Sequence, residues 1–429
     1  MASRVKRLGF FTINGFIFFI FVLHLAIVSQ VGLPLFLDVN DVNAEGTIVS
    51  KIYYYGTFLS GAFVGVTTWP RFAVAKYKTN ILAMLPFVLI CVASLSYTPD
   101  LIATRTNIVR LVAAVFSISG FCRLYGPAVT FRAVATVFCL VNIASFVAAL
   151  TIPSIGVHSL SDNVQAIHAG NWRGVTGHKN ALGRVAAISA LMLLFYPKLI
   201  SDNRFVTWAL VAACLLNLFN SQSQTSIAGF IVCIIAYFMF IGFRQNIFSL
   251  TAKIVGGAVA AAIVVYSLPF WLELFGRDAT FTGRSEIWQF AWSTILDRPF
   301  LGYGYGAGEH YFRLQAMNEL FRSAVDPHQA NFLVMIDVGL IGWACLMFSV
   351  FVALWKAMSS NRSVDEADWK ANSAFALCLC FNVFAGMSET APFDISANVG
   401  VLTFASIISI SKLISYERSS VDKSHKIIL

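Results

Sequence analysis

Long apolar runs separated by short polar connectors make up most of this chain. A helical bilayer crossing takes about twenty apolar residues. By that measure the sequence predicts helices near 8–30, 48–69, 79–97, 106–122, 129–152, 181–200, 204–220, 225–243, 250–269, 330–355, 371–388 and 395–414. The expected fold class is therefore an all-α polytopic integral membrane protein with about twelve transmembrane helices. The alternation breaks once, over roughly sixty residues from Leu272 to Phe332. This divides the chain into residues 1–269 with nine helices, a polar loop at 270–330, and residues 331–429 with three helices and a tail.

Inside the loop, Ile287, Phe290, Ala291 and Ile295 recur at helical spacing, so residues 283–296 should form a short amphipathic helix. Thr282 is its expected N-cap, Glu286 suits the positive end of the helix dipole, and Pro299 closes it. The segment Phe300-Leu301-Gly302-Tyr303-Gly304-Tyr305-Gly306 reads as a tight, aromatic-lined turn. A second amphipathic helix is expected near 308–324, after which Asp326-Pro327-His328 leads back to the bilayer.

Composition and charge sharpen this picture. The chain is 58% hydrophobic and 12% charged, with mean hydropathy +0.74, whereas soluble domains are about 25% charged. The net charge of +9 is a matter of location. Arg71, Lys76, Lys78, Arg123, Arg132, Lys198, Arg204, Arg244, Lys253, Lys356, Arg362 and Lys370 fall in alternate connectors, and the intervening ones carry Asp38, Asp41, Glu45, Glu389 and Asp394. The positive-inside rule then puts both termini in the cytoplasm, and the large loop and residues 153–180 outside. A basic excess explained by topology is not a nucleic-acid footprint, so no nucleic-acid partner is expected. The eight cysteines lie in apolar runs without a CxxC pair, which suggests neither disulfides nor zinc. The first apolar run follows Arg4, Lys6 and Arg7 as in a signal sequence, but its length and lack of a small-residue cleavage site read as a retained helix.

An outer site limits the chemistry, because nucleotide-activated donors are absent there. A group transfer would need a donor already activated and exported, such as a lipid-linked diphosphate. The sequence has no Walker motif, no GxGxxG ahead of a helix, and no DxD pair in the outer loops to hold a metal against a diphosphate. Arg and Lys would then have to neutralise the phosphates.

Two outer segments offer such groups. In Asn171-Trp172-Arg173-Gly174-Val175-Thr176-Gly177-His178-Lys179-Asn180, Arg173 and Lys179 could grip phosphate oxygens at the start of a helix. They could equally be interfacial anchors beside Trp172, and His178 a helix-end hydrogen-bond partner. In the large loop, Arg284 starts the amphipathic helix, Glu286 could orient it or merely cap, and His328 could serve as a general base or be structural. Arg110 and Arg184 fall in or near spans, where a charge is a functional candidate. The turn Ser221–Ser226 reads as a plain polar hairpin.

At these residues the chain resembles a known family. Thr282-Gly283-Arg284-Ser285-Glu286-Ile287-Trp288, Arg298-Pro299-Phe300-Leu301-Gly302-Tyr303-Gly304, and His328 followed by Gly339-Leu340-Ile341-Gly342 look like the signature of the O-antigen ligase/polymerase superfamily. Gly177-His178-Lys179-Asn180-Ala181-Leu182-Gly183 looks especially like its exopolysaccharide polymerase branch of the succinoglycan type. Where members often show His-Asn, this chain has His328-Gln329, with Gln329 offering the same amide.

The resemblance implies a helical, GT-C-like, metal-independent inverting glycosyltransferase without a cofactor, in a bacterial inner membrane with periplasmic active-site loops. Its donor would be an oligosaccharide on undecaprenyl diphosphate. Arg173 and Arg284 would bind the diphosphate, with His178, Lys179, Asn180, Glu286 and Gln329 lining the substrate site, and His328 would deprotonate or orient the acceptor hydroxyl. Besides membrane lipids, a flippase and a chain-length regulator would be its partners. The alternatives are ligation of the glycan to lipid A–core and, from another class, a transporter of lipid-linked sugars. A transporter would hold its charged residues near mid-membrane and show internal repeats; no half-to-half symmetry is evident.

Overall fold

Helices stand at eleven of the twelve positions read from the apolar runs. The computed structural model describes residues 13–29, 47–69, 77–160, 166–241, 284–319, 326–358 and 365–413. The ninth expected span, 250–269, and the expected N-cap Thr282 lie outside them. In chain order the helices are α1 (Ile13–Val28), α2 (Ile48–Thr68), α3 (Ile81–Ala93), α4 (Leu101–Tyr125), α5 (Pro127–Thr151), α6 (Lys179–Phe195), α7 (Arg204–Asn220), α8 (Gln224–Ala236), α9 (Arg284–Asp297), α10 (Gly308–Glu319), α11 (Ala330–Met358), α12 (Glu366–Ala385) and α13 (Asn398–Ser409). Among the described residues, α4, α5 and α11 are long and apolar enough to cross a membrane.

Two departures have local causes. The fourth helix starts five residues before its apolar run because Asp100 caps it, Oδ1 accepting the Ala103 N–H at 3.0 Å. The sixth breaks at Tyr196, where Pro197 has no N–H to donate, and a single turn Pro197–Ile200 follows.

The centre of the bundle is built on α12, which is apolar on every side and buries Phe375, Phe381 and Cys378. Phe131 of α5 packs edge to face on Phe375 at 5.3 Å. Buried amides tie neighbours together: Asn142 donates to Ser189 Oγ (2.7 Å), Asn217 to the Asn142 carbonyl (2.9 Å), and Asn382 to Thr403 Oγ1 (2.8 Å). Between helices in an apolar bundle each such bond contributes about 0.6 kcal/mol.

Other polar contacts gather at the two ends. At one, strands β1 (Tyr77–Lys78) and β2 (Lys412–Leu413) pair antiparallel, Tyr77 reaches Asp368 (2.9 Å), and Asn372 donates to the Ser411 carbonyl (2.8 Å). At the opposite end, Tyr97 Oη donates to the Leu301 carbonyl (2.7 Å), His310 pairs with Asp100 (2.8 Å), and the Ala330 N–H meets the Gly386 carbonyl (2.9 Å). Connectors that the charge pattern assigns to one side thus share one end.

The loop is fastened by a break in α11. Gly339 has φ +68°, and the Pro299–Phe300 turn enters the helix there, Pro299 O accepting the Leu340 N–H at 2.7 Å. A Cβ on Gly339 would lie 2.1 Å from Phe300 O, so only glycine fits. Two residues earlier, Asp337 accepts the N–H groups of Gly306 (2.9 Å) and Gly308 (2.8 Å), capping α10 with a carboxylate from another helix. Phe312 and Ala316 of α10 and Ala291 and Ile295 of α9 then pack on Met335 and Ile336.

Candidate active site

The N-terminus of α6 is held by two imidazoles. His178 Nδ1 accepts the Asn180 N–H (3.1 Å) and His158 Nε2 accepts the Lys179 N–H (3.2 Å). With His168 they form a triangle of rings, centroids 5.7, 5.7 and 5.8 Å apart. Burial, with Arg184, His158, His168 and Lys179 close by, lowers His178 from 6.5 to about 3. A ring nitrogen that accepts a backbone N–H leaves the neutral imidazole protonated on its other nitrogen. The two rings therefore cap the helix, and no group of His, Cys, Asp or Glu among the described residues has metal-holding geometry.

Past the caps, Asn180 Nδ2 donates to Glu389 Oε1 (2.9 Å), and Arg184 Nη1 meets Glu389 Oε2 (2.8 Å), with 8% and 10% of the two charged side chains exposed. Lys179 is buried, its Nζ 3.5 Å from the carbonyl of Gln222. The polar hairpin after α7 therefore touches this site, and Gln222 takes φ +53° there. Arg173 is oriented by backbone: Nε donates to Ile155 O (3.0 Å) and Nη2 to Ser154 O (2.8 Å), within the single turn Pro153–Gly156.

His328 sits in the left-handed region at φ +48°, uncommon for a residue with a side chain and concentrated at functional sites. Asp326 holds it there: Oδ1 accepts the His328 N–H at 2.6 Å and lies 3.1 Å from Nδ1. The imidazole is 36% exposed and open to a ligand. Gln329 points its amide inward as the cap of α11, Oε1 accepting the Phe332 N–H (2.9 Å). Its amide oxygen is thus used in capping. Arg284 opens α9, and Glu286 follows, exposed, in the first turn. This helix crosses the start of α11, with Trp288 and Trp292 against Phe332.

The turn after α12 joins the pieces. Gly386 takes the Ala330 N–H, Ser388 meets Thr225 (3.2 Å), and Glu389 takes Asn180 and Arg184. Residues 178–184, 326–330 and 386–389 are thereby one polar assembly at one end of the bundle, to which Lys179 adds the Gln222 carbonyl. Arg173 joins it through the short helical turn before α6, while the bonds it makes go to its own loop.

Sequence reasoning missed Glu389 as a site residue, reading it only as an acidic connector. It also missed Glu309, in the first turn of α10 and 3.0 Å from Arg313. Partial enclosure first, then the carboxylates of Asp394 and Asp326, push Glu309 up against the pull of Arg313, while 36% of its side chain stays exposed and tempers the effect of enclosure. The available signal was position: both acids fall in segments assigned to the outer side.

The model of the O-antigen ligase family matches residues 208–347, from α7 through the loop into α11, including Arg284 and His328. Among curated proteins, the chain is 30% identical over 135 residues to an O-antigen ligase of Pseudomonas aeruginosa, covering 31% of this chain and 29% of that one. It is 28% identical over 171 residues to the exopolysaccharide production protein ExoQ of Rhizobium meliloti, covering 37% and 38%. The matched stretches thus span about a third of each relative. The resemblance to the O-antigen ligase/polymerase superfamily rests on these matches, in which residues 208–347 are similar to the O-antigen ligase domain.

Proposed function

We propose that this protein is a membrane glycosyltransferase that joins lipid-linked oligosaccharide repeats into a polysaccharide at the outer face of a bacterial inner membrane. The observation that carries this reading is the meeting of residues 178–184, 326–330 and 386–389 at one end of the bundle. A carrier would place such groups midway along its helices. Support also comes from the domain match, which contains both Arg284 and His328.

In this mechanism the donor is a glycan on undecaprenyl diphosphate, bound without a metal by cations. Arg173, Arg284 and Lys179 supply the positive charge for the diphosphate beside the N-terminal end of α6. The acceptor hydroxyl approaches beside His328, which orients it or takes its proton as the new bond forms. Its oxygen attacks the anomeric carbon from the face opposite the phosphate, the carbon–oxygen bond breaks, and undecaprenyl diphosphate leaves with the electron pair. Configuration inverts. Capping by His178 and Gln329, together with the Asn180–Glu389 bond, holds the helix ends in place, so these residues act by positioning. A flippase supplying the repeats and a chain-length regulator are the expected partners.

The test is purified protein in nanodiscs, given only lipid-linked repeats. A ladder of longer lipid-linked products, lost in His328→Ala and in Arg284→Ala and insensitive to chelator, is the expected result. The relative named O-antigen ligase supports a second reading, transfer to lipid A–core. Product appearing only when lipid A–core is added would establish that reading, and silence in both assays would return the transporter.

A further inference from the structure

The motif Arg298-Pro299-Phe300 closes the end of α9 that the mechanism leaves unused, and an apolar groove opens beside it. The groove holds about 440 Å³, and its walls include Pro86, Phe300, Leu340, Ile341, Cys345 and Phe348. It forms where two helices depart from regular packing. Pro86 stands inside α3, and Gly339 breaks α11 to admit the Pro299–Phe300 turn. Phe300 and Phe348 are 65% and 56% exposed at its edges, so the groove is open on the outside of the bundle, where a bilayer would lie.

Successive contacts run α9 along the first part of α11 in the same direction. Trp288 and Trp292 meet Phe332, Ala291 and Ile295 pack with Met335 and Ile336, and Pro299 O accepts the Leu340 N–H. Arg284 and His328 each stand four positions before the Trp288–Phe332 contact, so they share the outer end of this helix pair. The groove begins at the other end. Between the two lies the 14-residue length of α9, about 20 Å of helix.

Along that path Ser285, Glu286, Gln289 and Ser293 are exposed on one face of α9. Trp292, 46% exposed on the same face, offers an aromatic surface to a sugar ring. At the groove end Arg298 is exposed two positions before Phe300, its guanidinium carbon 4.7 Å from the centre of the Tyr303 ring. The Tyr303 N–H bonds the Ile336 carbonyl at 2.8 Å, which places this cation one turn outward of the Gly339 break.

We propose that the groove seats the polyprenyl chain of the acceptor, a second lipid-linked repeat, with its diphosphate on Arg298 and its sugars laid along α9 toward His328. This rests on the glycosyl-transfer reading. Such a lipid has three parts in a fixed order, and the protein presents their complements in that order: an apolar groove, a cation, and a polar face with an open tryptophan. The hydroxyl that extends the polymer is on the sugar farthest from the acceptor's own lipid. That lipid must therefore be anchored an oligosaccharide's length from the reaction. Donor and acceptor then take opposite ends of α9, and their diphosphates stand about 20 Å apart, beyond the screening length of about 8 Å. A bulk phospholipid matches the groove and the cation but has nothing to lay along α9.

The experiment, in nanodiscs, gives each lipid-linked repeat one role. The donor has its far hydroxyls blocked. The acceptor has carbon in place of the oxygen between sugar and phosphate, so it cannot donate. It is supplied with its full polyprenyl chain or as a short-chain analogue to the wild type, Ala344→Trp and Arg298→Gln. Ala344 lines the groove and is exposed, so tryptophan fills the groove without entering the core. With the full-length acceptor, both variants should raise the acceptor KM about tenfold or more, with kcat within about threefold and donor KM unchanged. With the short-chain acceptor the wild type should already show the raised KM, and Ala344→Trp should add nothing.

An acceptor KM unmoved in either variant overturns the proposal, as does a rise in donor KM alone, which gives the groove to the donor. A second readout does not depend on turnover: an acceptor with a photoreactive diazirine in its chain should label residues 340–348. Labelling there by a diazirine phospholipid that excess acceptor fails to displace makes the groove a bulk-lipid site and overturns the proposal. If Ala344→Trp does not fold, the acceptor label decides, its presence upholding the proposal and its absence overturning it. A wild type inactive with every donor and acceptor removes the glycosyl-transfer reading itself, and this proposal with it.

Discussion

At the scale of single residues, the site depends on groups whose charge state or pairing is set by burial. Arg184 and Glu389 are the sharpest case, a buried pair with 8% and 10% of their side chains exposed. Glu389→Ala leaves the guanidinium buried without its partner, a change that costs about 3 kcal/mol or more. We expect the thermal midpoint to fall well below wild type; equal midpoints would show that the pair adds no stability. His178 gives a pH signature. Unfolded, it takes up a proton below its ordinary 6.5, whereas folded it resists until about 3, so this group costs stability as pH falls through that window and nothing above it. His178→Asn keeps a capping side chain without titrating. The wild-type midpoint should therefore drop further than the variant's between pH 7.5 and 5, and parallel decline would show that His178 is not held neutral. His328 stood out in the sequence as a candidate because an Asp-Pro-His falls at the expected bilayer re-entry. Glu389 was not, since a lone acid in a short connector shows nothing of the arginine it will meet across 205 positions.

At the scale of elements, periodicity gave the first amphipathic helix to within a residue and the start of the second, whose expected end near 324 lies outside the described residues, and glycine content gave the turn between them. What the turn does was invisible. Its job is to enter α11 at Gly339, and the apolar run over 330–355 reads as one uninterrupted helix because Gly339 leaves no mark on hydropathy. The same limit applies to Asp337, a carboxylate inside an apolar run whose two N–H partners lie about thirty positions back. Gly339→Ala puts a methyl group where Phe300 O already is. The loop should undock: amides of residues 299–308 should exchange with solvent at least tenfold faster, while those of α12 keep wild-type protection. Unchanged exchange in the loop would mean that the break in α11 is not what fastens it.

At the scale of the whole molecule, the helix positions were the legible part, because each is written in a local run of apolar residues. Assembly was not, because it is written in contacts between segments far apart. The partition of polar contacts into two ends predicts a labelling pattern. Single cysteines placed at Ser285 and at Lys78, in a background lacking the native cysteines, should react with an impermeant thiol reagent from opposite faces of sealed vesicles. Labelling of both from one face would break the link between the two ends and the two sides of the membrane.

The turn at Gly386–Glu389 has a consequence for synthesis. Every residue proposed to touch substrate, from Pro86 to Phe348, leaves the ribosome before that turn does. Until it emerges, Glu389 cannot hold Asn180 and Arg184, and Gly386 cannot receive the Ala330 N–H. A chain cut short just after α12 would therefore carry the full chemical inventory and still be inert. The newborn protein is silent until that turn is made, which delays transfer until α12 is in place.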